Sequence, residues 1–279
     1  MSYSPAEIME NYTEIGKKKA EGSAPRMFAL ALAAGMVIGF AAFAASVASY
    51  AVENPSIARV ISGLLFPFGL GIVMLLGMEL FTGNCMAFIS IWSEKARVFG
   101  VLRNLAVVYV GNMLGSVPLA AVVAFSGQMG RNDGALAVYA IRAAAAKCQL
   151  DAHSAVILGF LCNILVCLGV LCAMSAKDTI GCVAGAYIPV ALFVIGGFEH
   201  SVANMYSIPA GIFAMIRHPD IVAAYGLDVS ALSWRNFFIV NLLPVTIGNI
   251  LGGAGIATLL WACHCHRNER KDIYVLKSE

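Results

Sequence analysis

The sequence predicts an all-α integral membrane protein with six spanning helices, built from two inverted three-helix repeats in which spans two and five are interrupted. Three observations support this fold class: the composition, the lengths of the apolar segments and a repeated motif. Of the 279 residues, 60% are hydrophobic and only 12% are charged, whereas soluble domains carry roughly 25% charged residues. The net charge of +2 gives no reason to expect a nucleic-acid partner.

Six apolar segments are long enough to cross a bilayer, which takes ~20 residues. The second and fifth are longer than a single span and contain polar side chains. We therefore expect both to be broken inside the membrane, as in transport folds whose sites lie where helices are interrupted. The predicted spans are residues 27–51, 60–92, 104–127, 153–176, 180–215 and 236–262.

A short motif occurs once in each interrupted segment. The stretches "GMELFTGNCM" and "GFEHSVANMY" begin with Gly at positions 77 and 197, and each has Glu two residues later and Asn seven residues later. "GNMLG" at 111–115 and "GNILG" at 248–252 follow in the same order, and we interpret these as small-residue patterns for close helix packing. Three spans per repeat place the two halves in opposite orientations. The repeated polar residues are Glu79, Asn84, Glu199 and Asn204.

The chain divides into five parts on this basis. Residues 1–26 are predicted to form an amphipathic helix on the membrane surface, with Ser4 as N-cap and Glu7 as its capping-box partner. The other parts are repeat one at 27–127, an external connector at 128–152, repeat two at 153–262 and a cytoplasmic tail at 263–279.

The distribution of Lys and Arg predicts the orientation. With both termini on the cytoplasmic side, twelve of the 18 Lys and Arg residues fall on that side, as the positive-inside rule requires. The sequence therefore predicts a multi-pass protein of the cytoplasmic (inner) membrane.

The eight cysteines give no evidence of a metal site. Most lie in apolar segments, where Cys behaves as a small hydrophobic residue. "CHCH" at 263–266 lacks a second ligand pair at suitable spacing. We therefore expect no metal and no cofactor.

Five stretches resemble the formate/nitrite transporter family: "LFTGN" (80–84), "AKCQL" (146–150), "GFLCNILVCLGV" (159–170), "GFEHSVANMYSIPAGI" (197–212) and "NLLPVTIGNILGG" (241–253). The resemblance extends from about residue 5 to 262. It implies an aquaporin-like protomer, assembled as a homopentamer with one pore per subunit. It also implies transport of small monovalent weak-acid anions, with formate first, and nitrite or hydrosulfide as the alternative on the same fold.

The resemblance also assigns residues. His200 matches the central pore histidine, Thr82 the threonine of the loop in span two, and Lys147 a lysine near the outer vestibule. Asn163 and Asn204 match asparagines that face or support the pore. The positions matching the two apolar constrictions are Phe66, Leu70, Leu80, Phe81, Val166 and Phe193, and the resemblance does not tell which side of the pore each belongs to.

His200 is the candidate for proton chemistry. Ionisable residues at membrane depth are costly and usually functional, and an imidazole titrates near physiological pH. A proton passed from the histidine to formate would give a neutral acid that crosses apolar slits more easily. The alternative is a structural histidine bonded to Thr82 or Asn204.

Glu79, Asn84 and Glu199 are predicted to be structural residues at the helix breaks. We expect Glu199 to cap the backbone N–H groups of the adjoining half-helix. Lys147 would attract anions, or would be an ordinary interfacial lysine.

Two other classes of function fit the sequence less well. An intramembrane enzyme would need a motif such as HExxH or GxSxG, and the sequence has neither. A neutral-solute pore would carry paired Asn-Pro-Ala motifs, where this chain carries Glu, Asn and His. The sequence therefore predicts an anion channel or transporter that is not an enzyme.

Overall fold

The structure is a computed structural model that describes residues 2–265. Within that range six helical segments are long and apolar enough to cross a membrane, which confirms the predicted number of spans. The spans are α2 (Ala24–Ser49), α3 with α4 (Pro55–Leu65 and Phe68–Leu75), α7 (Val98–Phe125), α9 (Ala152–Ser175), α10 (Thr179–Gly196) and α13 with α14 (Trp234–Asn236 and Leu243–His264), the last pair joined by a π-helical turn at Phe237–Leu242.

Spans two and five are interrupted, as the sequence predicts. After α4 the chain is irregular up to residue 80, and it then continues as α5 (Phe81–Asn84), a 3₁₀ turn (Cys85–Ala87) and α6 (Phe88–Trp92). After α10 it is irregular up to residue 200 and continues as α11 (Ser201–Arg217). The remaining helices lie outside the spans: α1 (Pro5–Glu21), α8 (Ala135–Lys147) and α12 (Pro219–Ala224).

The two halves interlock at the breaks. Within each half the first and third spans pack together, α2 against α7 and α9 against α14. The helix after each break packs against the other half, because α11 contacts α7 and α2, and α5 contacts α9. The chain ends of both interrupted spans therefore meet in the centre of the bundle.

Glycines allow the close packing of α2 with α7 and of α9 with α14. A Cβ on Gly115 would lie 2.1 Å from the carbonyl oxygen of Leu32, and one on Gly252 would lie 2.2 Å from that of Phe160. Both glycines end a "GN-x-LG" motif, so the structure supports the packing role that the sequence predicts for its glycines.

Helix α1 packs against the protein along one face. Its Met9 and Tyr12 are each only 2% exposed, and the helix contacts α6, α7 and α14. The reason is that its buried face also includes Thr13 and Gly16, which fit against protein better than they would insert into acyl chains. The Ser4–Glu7 capping box is present as predicted. His266 of the "CHCH" stretch and the rest of the tail lie outside the described residues.

Candidate functional site

Each break begins with a glycine in the left-handed conformation. Gly77 has φ of 60° and Gly197 has φ of 70°, a region that glycine enters without steric cost. Both end a half-helix, a position where glycine is the usual residue. The repeated glycine of the motif thus turns the chain from the first half-helix into the irregular segment.

An asparagine from the third span of each half holds the end of the irregular segment. In the second half, Asn249 Oδ1 accepts a hydrogen bond from the N–H of Ser201 at 2.9 Å. Asn249 Nδ2 donates to the carbonyl oxygens of Gly159 and Glu199. Asn112 repeats this arrangement in the first half with the N–H of Phe81 and the carbonyl oxygens of Ala31 and Glu79.

The Glu199 carboxylate is held by side chains. Lys147 Nζ donates to it at 2.6 Å, Asn204 Nδ2 at 2.6 Å and Asn241 Nδ2 at 3.4 Å. The predicted capping of backbone N–H groups by Glu199 is therefore wrong, because Asn249 occupies that place and the carboxylate is taken by a lysine and two amides. A carboxylate that is only 7% exposed in its side chain needs such partners to stay ionised.

The first half contains the same cage around Glu79. Lys19 Nζ donates to the Glu79 carboxylate at 2.8 Å, and Asn84 Nδ2 donates to both Glu79 and Asn104. Lys19 lies on α1 and Lys147 lies on α8. The repeat therefore includes α1 and α8 as equivalent helices, one at each face of the membrane, which the three-span repeat predicted from the sequence did not contain.

The two repeats differ at the residue that caps the helix after the break. His200 is the N-cap of α11, and its Nδ1 accepts a hydrogen bond from the Ala203 N–H at 3.0 Å. Leu80, the equivalent N-cap in the first half, has no side-chain hydrogen bond. His200 is only 3% exposed, so its ring is enclosed at the point where the two breaks meet.

The partners of His200 determine its tautomer. Because Nδ1 accepts from an amide N–H, the proton of the neutral imidazole is on Nε2. Nε2 lies 3.1 Å from Thr82 Oγ1 and therefore donates to it. The hydroxyl hydrogen of Thr82 is then left to donate elsewhere, so the pair offers one hydrogen-bond donor without a net charge.

Aromatic rings cover His200 on one side. The Phe193 ring stacks on the imidazole with centroids 5.7 Å apart and an interplanar angle of 12°, and Phe66 contacts it edge-on at 6.5 Å. Phe66 and Phe193 also contact each other at 5.8 Å. These two of the predicted constriction residues thus form one apolar cluster beside the imidazole.

Leu70 and Leu80 line a cavity of about 560 Å³ that opens towards α1. Lys18, Lys19 and Arg26 also line this cavity. Three cations therefore face it, and Glu79 is the one acidic residue among the described residues that line it.

The remaining predicted residues have supporting positions. Asn163 Nδ2 donates to the carbonyl oxygens of Thr82 at 3.1 Å and Asn249 at 2.6 Å, which links the loop of one half to the third span of the other. Val166 is fully buried one turn further along α9. Phe81 packs edge-on against Tyr109 at 4.8 Å, so its ring contacts α7.

Sequence reasoning missed five residues of the site. Asn112 and Asn249 lie inside motifs that we interpreted as packing motifs, although an asparagine at the same place in both halves was a signal for a polar role. Lys19, Asn104 and Asn241 lie far along the chain from the breaks, and no short motif marks them. The π-helical turn at Phe237–Leu242 contains Asn241, whose Nδ2 also donates to the Lys147 carbonyl.

The fold and the site define a class of membrane transport protein: an aquaporin-like bundle of two inverted repeats with two broken helices meeting at a buried polar pair. Residues 6–263 match the model of the formate/nitrite transporter family. The chain belongs to this family.

Named relatives agree with this assignment. The chain is 34% identical to a probable formate transporter of Methanothermobacter thermautotrophicus, covering 92% of this chain and 96% of the relative. It is 30% identical to the formate channel FocA of Escherichia coli K12, covering 95% of both. These relatives are channels and transporters, not enzymes.

Two solved structures are similar over most of the chain. One is a pentameric formate channel with formate bound, with a TM-score of 0.75, 34% identity and coverage of 88% of this chain and 96% of the other. The second, an FNT family ion channel, has a TM-score of 0.76 at 24% identity and covers 93% of this chain and 98% of the other. The predicted fold class is confirmed.

Proposed function

We propose that this protein is a channel for small monovalent weak-acid anions, with formate as the first substrate and nitrite or hydrosulfide as the alternative on the same fold. The contact between His200 Nε2 and Thr82 Oγ1 carries the proposal. The contact leaves the Thr82 hydroxyl hydrogen free to donate to an anion oxygen where the two breaks meet, and apolar side chains lie beside the pair. The formate channels among the relatives support the choice of formate.

The proposed assembly is a homopentamer in the cytoplasmic membrane, with one pore per subunit and both termini cytoplasmic. The similar pentameric formate channel supports the pentamer. The excess of Lys and Arg on the α1 face supports the orientation. In this orientation the large cavity is the inner vestibule, and α8 lies at the outer face.

The charges at the two mouths favour anions. Lys18, Lys19 and Arg26 outnumber Glu79 around the inner vestibule, and a cleft lined by one sign of charge concentrates ions of the opposite sign. At the outer mouth Lys147 carries the positive charge, although its pairing with Glu199 reduces the net field. An anion thus meets a favourable potential before it reaches the apolar part of the pore.

Between the mouths an ion must pass side chains that cannot solvate it. Leu70 and Leu80 line the inner vestibule, and Phe66 and Phe193 lie against the His200 ring. Placing a charge at the bilayer centre costs about 2.5–3.5 kcal/mol on insertion scales. A neutral weak acid avoids this cost, so protonation of the anion inside the pore speeds its passage.

His200 is the proposed site of proton exchange. A neutral ring cannot give up its Nε2 proton to formate at reasonable cost, so the donor must be the imidazolium. Forming it breaks the bond from Ala203 N–H to Nδ1, and the negative charge of an arriving anion offsets that loss. The second proton comes from the aqueous solution on one side of the membrane and enters at Nδ1. The imidazolium then transfers its Nε2 proton to the carboxylate, which gives neutral formic acid and a neutral ring protonated on Nδ1.

Flux measurements in proteoliposomes test the function. Vesicles that contain a pH-sensitive dye would be exposed to formate, nitrite, hydrosulfide and lactate, and glycerol entry would be followed by vesicle swelling. We expect formate to give the fastest acidification, with protein-free vesicles as the control. A faster response to nitrite or hydrosulfide would select the alternative substrate, and glycerol flux without anion flux would overturn the proposal.

A further inference from the structure

A second cavity lies at the membrane face opposite to α1 and is separate from the pore. It has a volume of about 480 Å³ and opens beside α8. Its lining residues differ from all those that line the inner cavity. They are Tyr50, Ala135, Val138, Tyr139, Arg142, Ala143 and Tyr225.

One stripe of α8 supplies most of this lining. Residues 138, 139, 142 and 143 lie three, four, seven and eight positions after residue 135, so the five share one face of the helix. The opposite stripe is buried, with Ile141 at 0% and Ala144 at 1% exposure, and Ala144 lies against Gly211 of α11. Packing on α11 thus uses one face of α8 and leaves the other to the cavity.

The polar groups in the cavity are suited to an anion. Arg142 is the one charged lining residue, it is exposed, and it has no ion pair or hydrogen bond within residues 2–265. The Tyr50 hydroxyl accepts a hydrogen bond from Asn132. The hydroxyls of Tyr139 and Tyr225 have no partner in the same range and can donate to a ligand. An arginine beside tyrosine hydroxyls matches the oxygens of a phosphate.

The depth of the cavity indicates the source of that phosphate. Tyr50 ends span α2, so the cavity lies at the level where a span leaves the hydrocarbon core. Tyrosine is enriched at this level, and lipid phosphates lie there too. Ala135, Val138 and Ala143 add an apolar wall that a soluble anion would not need but that the glycerol and acyl groups of a lipid would contact.

We propose that this cavity binds an anionic phospholipid through its headgroup phosphate. Arg142 pairs with two phosphate oxygens, the hydroxyls of Tyr139 and Tyr225 donate to the others, and Val138 contacts the apolar part of the lipid. The bound lipid fills the space between α8, the end of α2 and α12.

Lipid binding to the full-length protein in a neutral detergent provides the test. Native mass spectrometry would count bound lipid during titration with phosphatidylglycerol, with phosphatidylcholine and inorganic phosphate as separate arms. We expect Arg142→Ala to weaken phosphatidylglycerol binding about tenfold, the usual scale for losing one charge-assisted pair. Arg142→Lys should recover part of the affinity, and Tyr139→Phe should weaken binding about threefold.

Arg131→Ala is the matched control, because Arg131 is exposed on the same face and lies outside the lining. It should change binding less than twofold. Equal binding by the Arg142→Ala and Arg131→Ala variants would overturn the proposal. Displacement of the lipid by inorganic phosphate at equal concentration would do so too, since it would indicate a site for free anions. Dissociation of lipid-free oligomers by Arg142→Ala would instead assign the cavity to a subunit contact.

Discussion

The Tyr109 hydroxyl and Thr246 Oγ1 lie 2.9 Å apart, and the two residues hold equivalent positions in the two halves. Each is three residues before the asparagine that holds its half's break, Asn112 or Asn249. Equivalent residues of an inverted repeat can touch only near the pseudo-two-fold axis that relates the halves. The axis therefore passes close to this pair. Substitutions at equivalent positions of the two halves should change the free energy of unfolding by similar amounts.

The first prediction concerns these asparagines. Asn112→Ala and Asn249→Ala each remove three hydrogen bonds from a buried amide and leave one N–H and two carbonyl oxygens without that partner. Each should lower the free energy of unfolding by about 2–4 kcal/mol, since an unsatisfied buried group costs roughly 1–3 kcal/mol. Thermal unfolding in detergent would measure both.

Asn236→Ala serves as the control, because Asn236 Nδ2 makes a single bond, to the Ala231 carbonyl, in a part-buried place. Its effect should stay below about 1 kcal/mol. A large effect of Asn249→Ala with a negligible effect of Asn112→Ala would contradict the equivalence of the two halves.

The sequence predicted those features that depend on local composition or on a repeated short motif. Span number, the interruptions and the paired glutamates fall in this group, because apolar length and a motif near residues 79 and 199 are visible in a window of about ten residues. His200 was singled out because an ionisable residue at membrane depth is costly and because it matches the pore histidine of the family. The Thr82–His200 contact itself joins residues 118 positions apart and was predicted only as one option.

The lysine partners of the glutamates show why the sequence did not predict the other contacts of the site. Lys19 is 60 positions from Glu79, and Lys147 is 52 positions from Glu199. Pairing across such distances depends on how α1 and α8 pack, which hydropathy does not encode. For the same reason the sequence did not predict that one face of α1 packs against α6, α7 and α14, since an amphipathic pattern shows that a face is buried but does not identify what covers it.

The Lys147–Glu199 pair allows a second prediction. Lys147→Ala leaves a buried carboxylate without its cation, and breaking one side of a buried pair costs about 3–5 kcal/mol. Glu199→Gln in the same chain removes that charge, so the double variant should be more stable than Lys147→Ala alone. The expected coupling is about 1–3 kcal/mol in a double-mutant cycle of thermal unfolding.

The exposed pair Lys95–Glu14 is the comparison for this cycle. Its side chains are 38% and 52% exposed, so water solvates either charge when the other is removed. Its coupling should stay below about 1 kcal/mol. Additive effects of Lys147→Ala and Glu199→Gln would mean that the carboxylate does not depend on the lysine.

The third prediction concerns the proton step at His200. Asparagine can keep a hydrogen bond to Thr82 but cannot form a cation in this pH range. Formate uptake by His200→Asn should therefore lose the pH dependence of the unsubstituted protein. The variant should instead carry a formate current, because the anion passes unprotonated. Uptake and current would be recorded between pH 5 and 8, on either side of the ordinary pKa of imidazole.

Thr82→Val provides a matched change on the other side of the contact. It removes the hydroxyl but leaves His200 able to titrate, so uptake should slow while its dependence on pH persists. If His200→Asn kept the original pH profile and carried no current, the ring would be a structural cap of α11 and proton exchange would be excluded.

The last prediction concerns acid stability at the start of α1, outside the membrane. Hydrogen bonds from the Ser4 backbone N–H and hydroxyl lower the pKa of Glu7 from its ordinary value of 4.5. A carboxyl whose pKa is lower in the folded state adds stability above the unfolded value, and this is lost as the pH falls through the folded value. The first turn of α1 should thus lose amide-exchange protection below about pH 4.5.

Glu7→Gln should abolish that change. Glu14→Gln should leave it in place, because Glu14 pairs with Lys95 further along the helix. A pH profile in the first turn that is the same with and without Glu7 would show that the capping box does not hold the helix start.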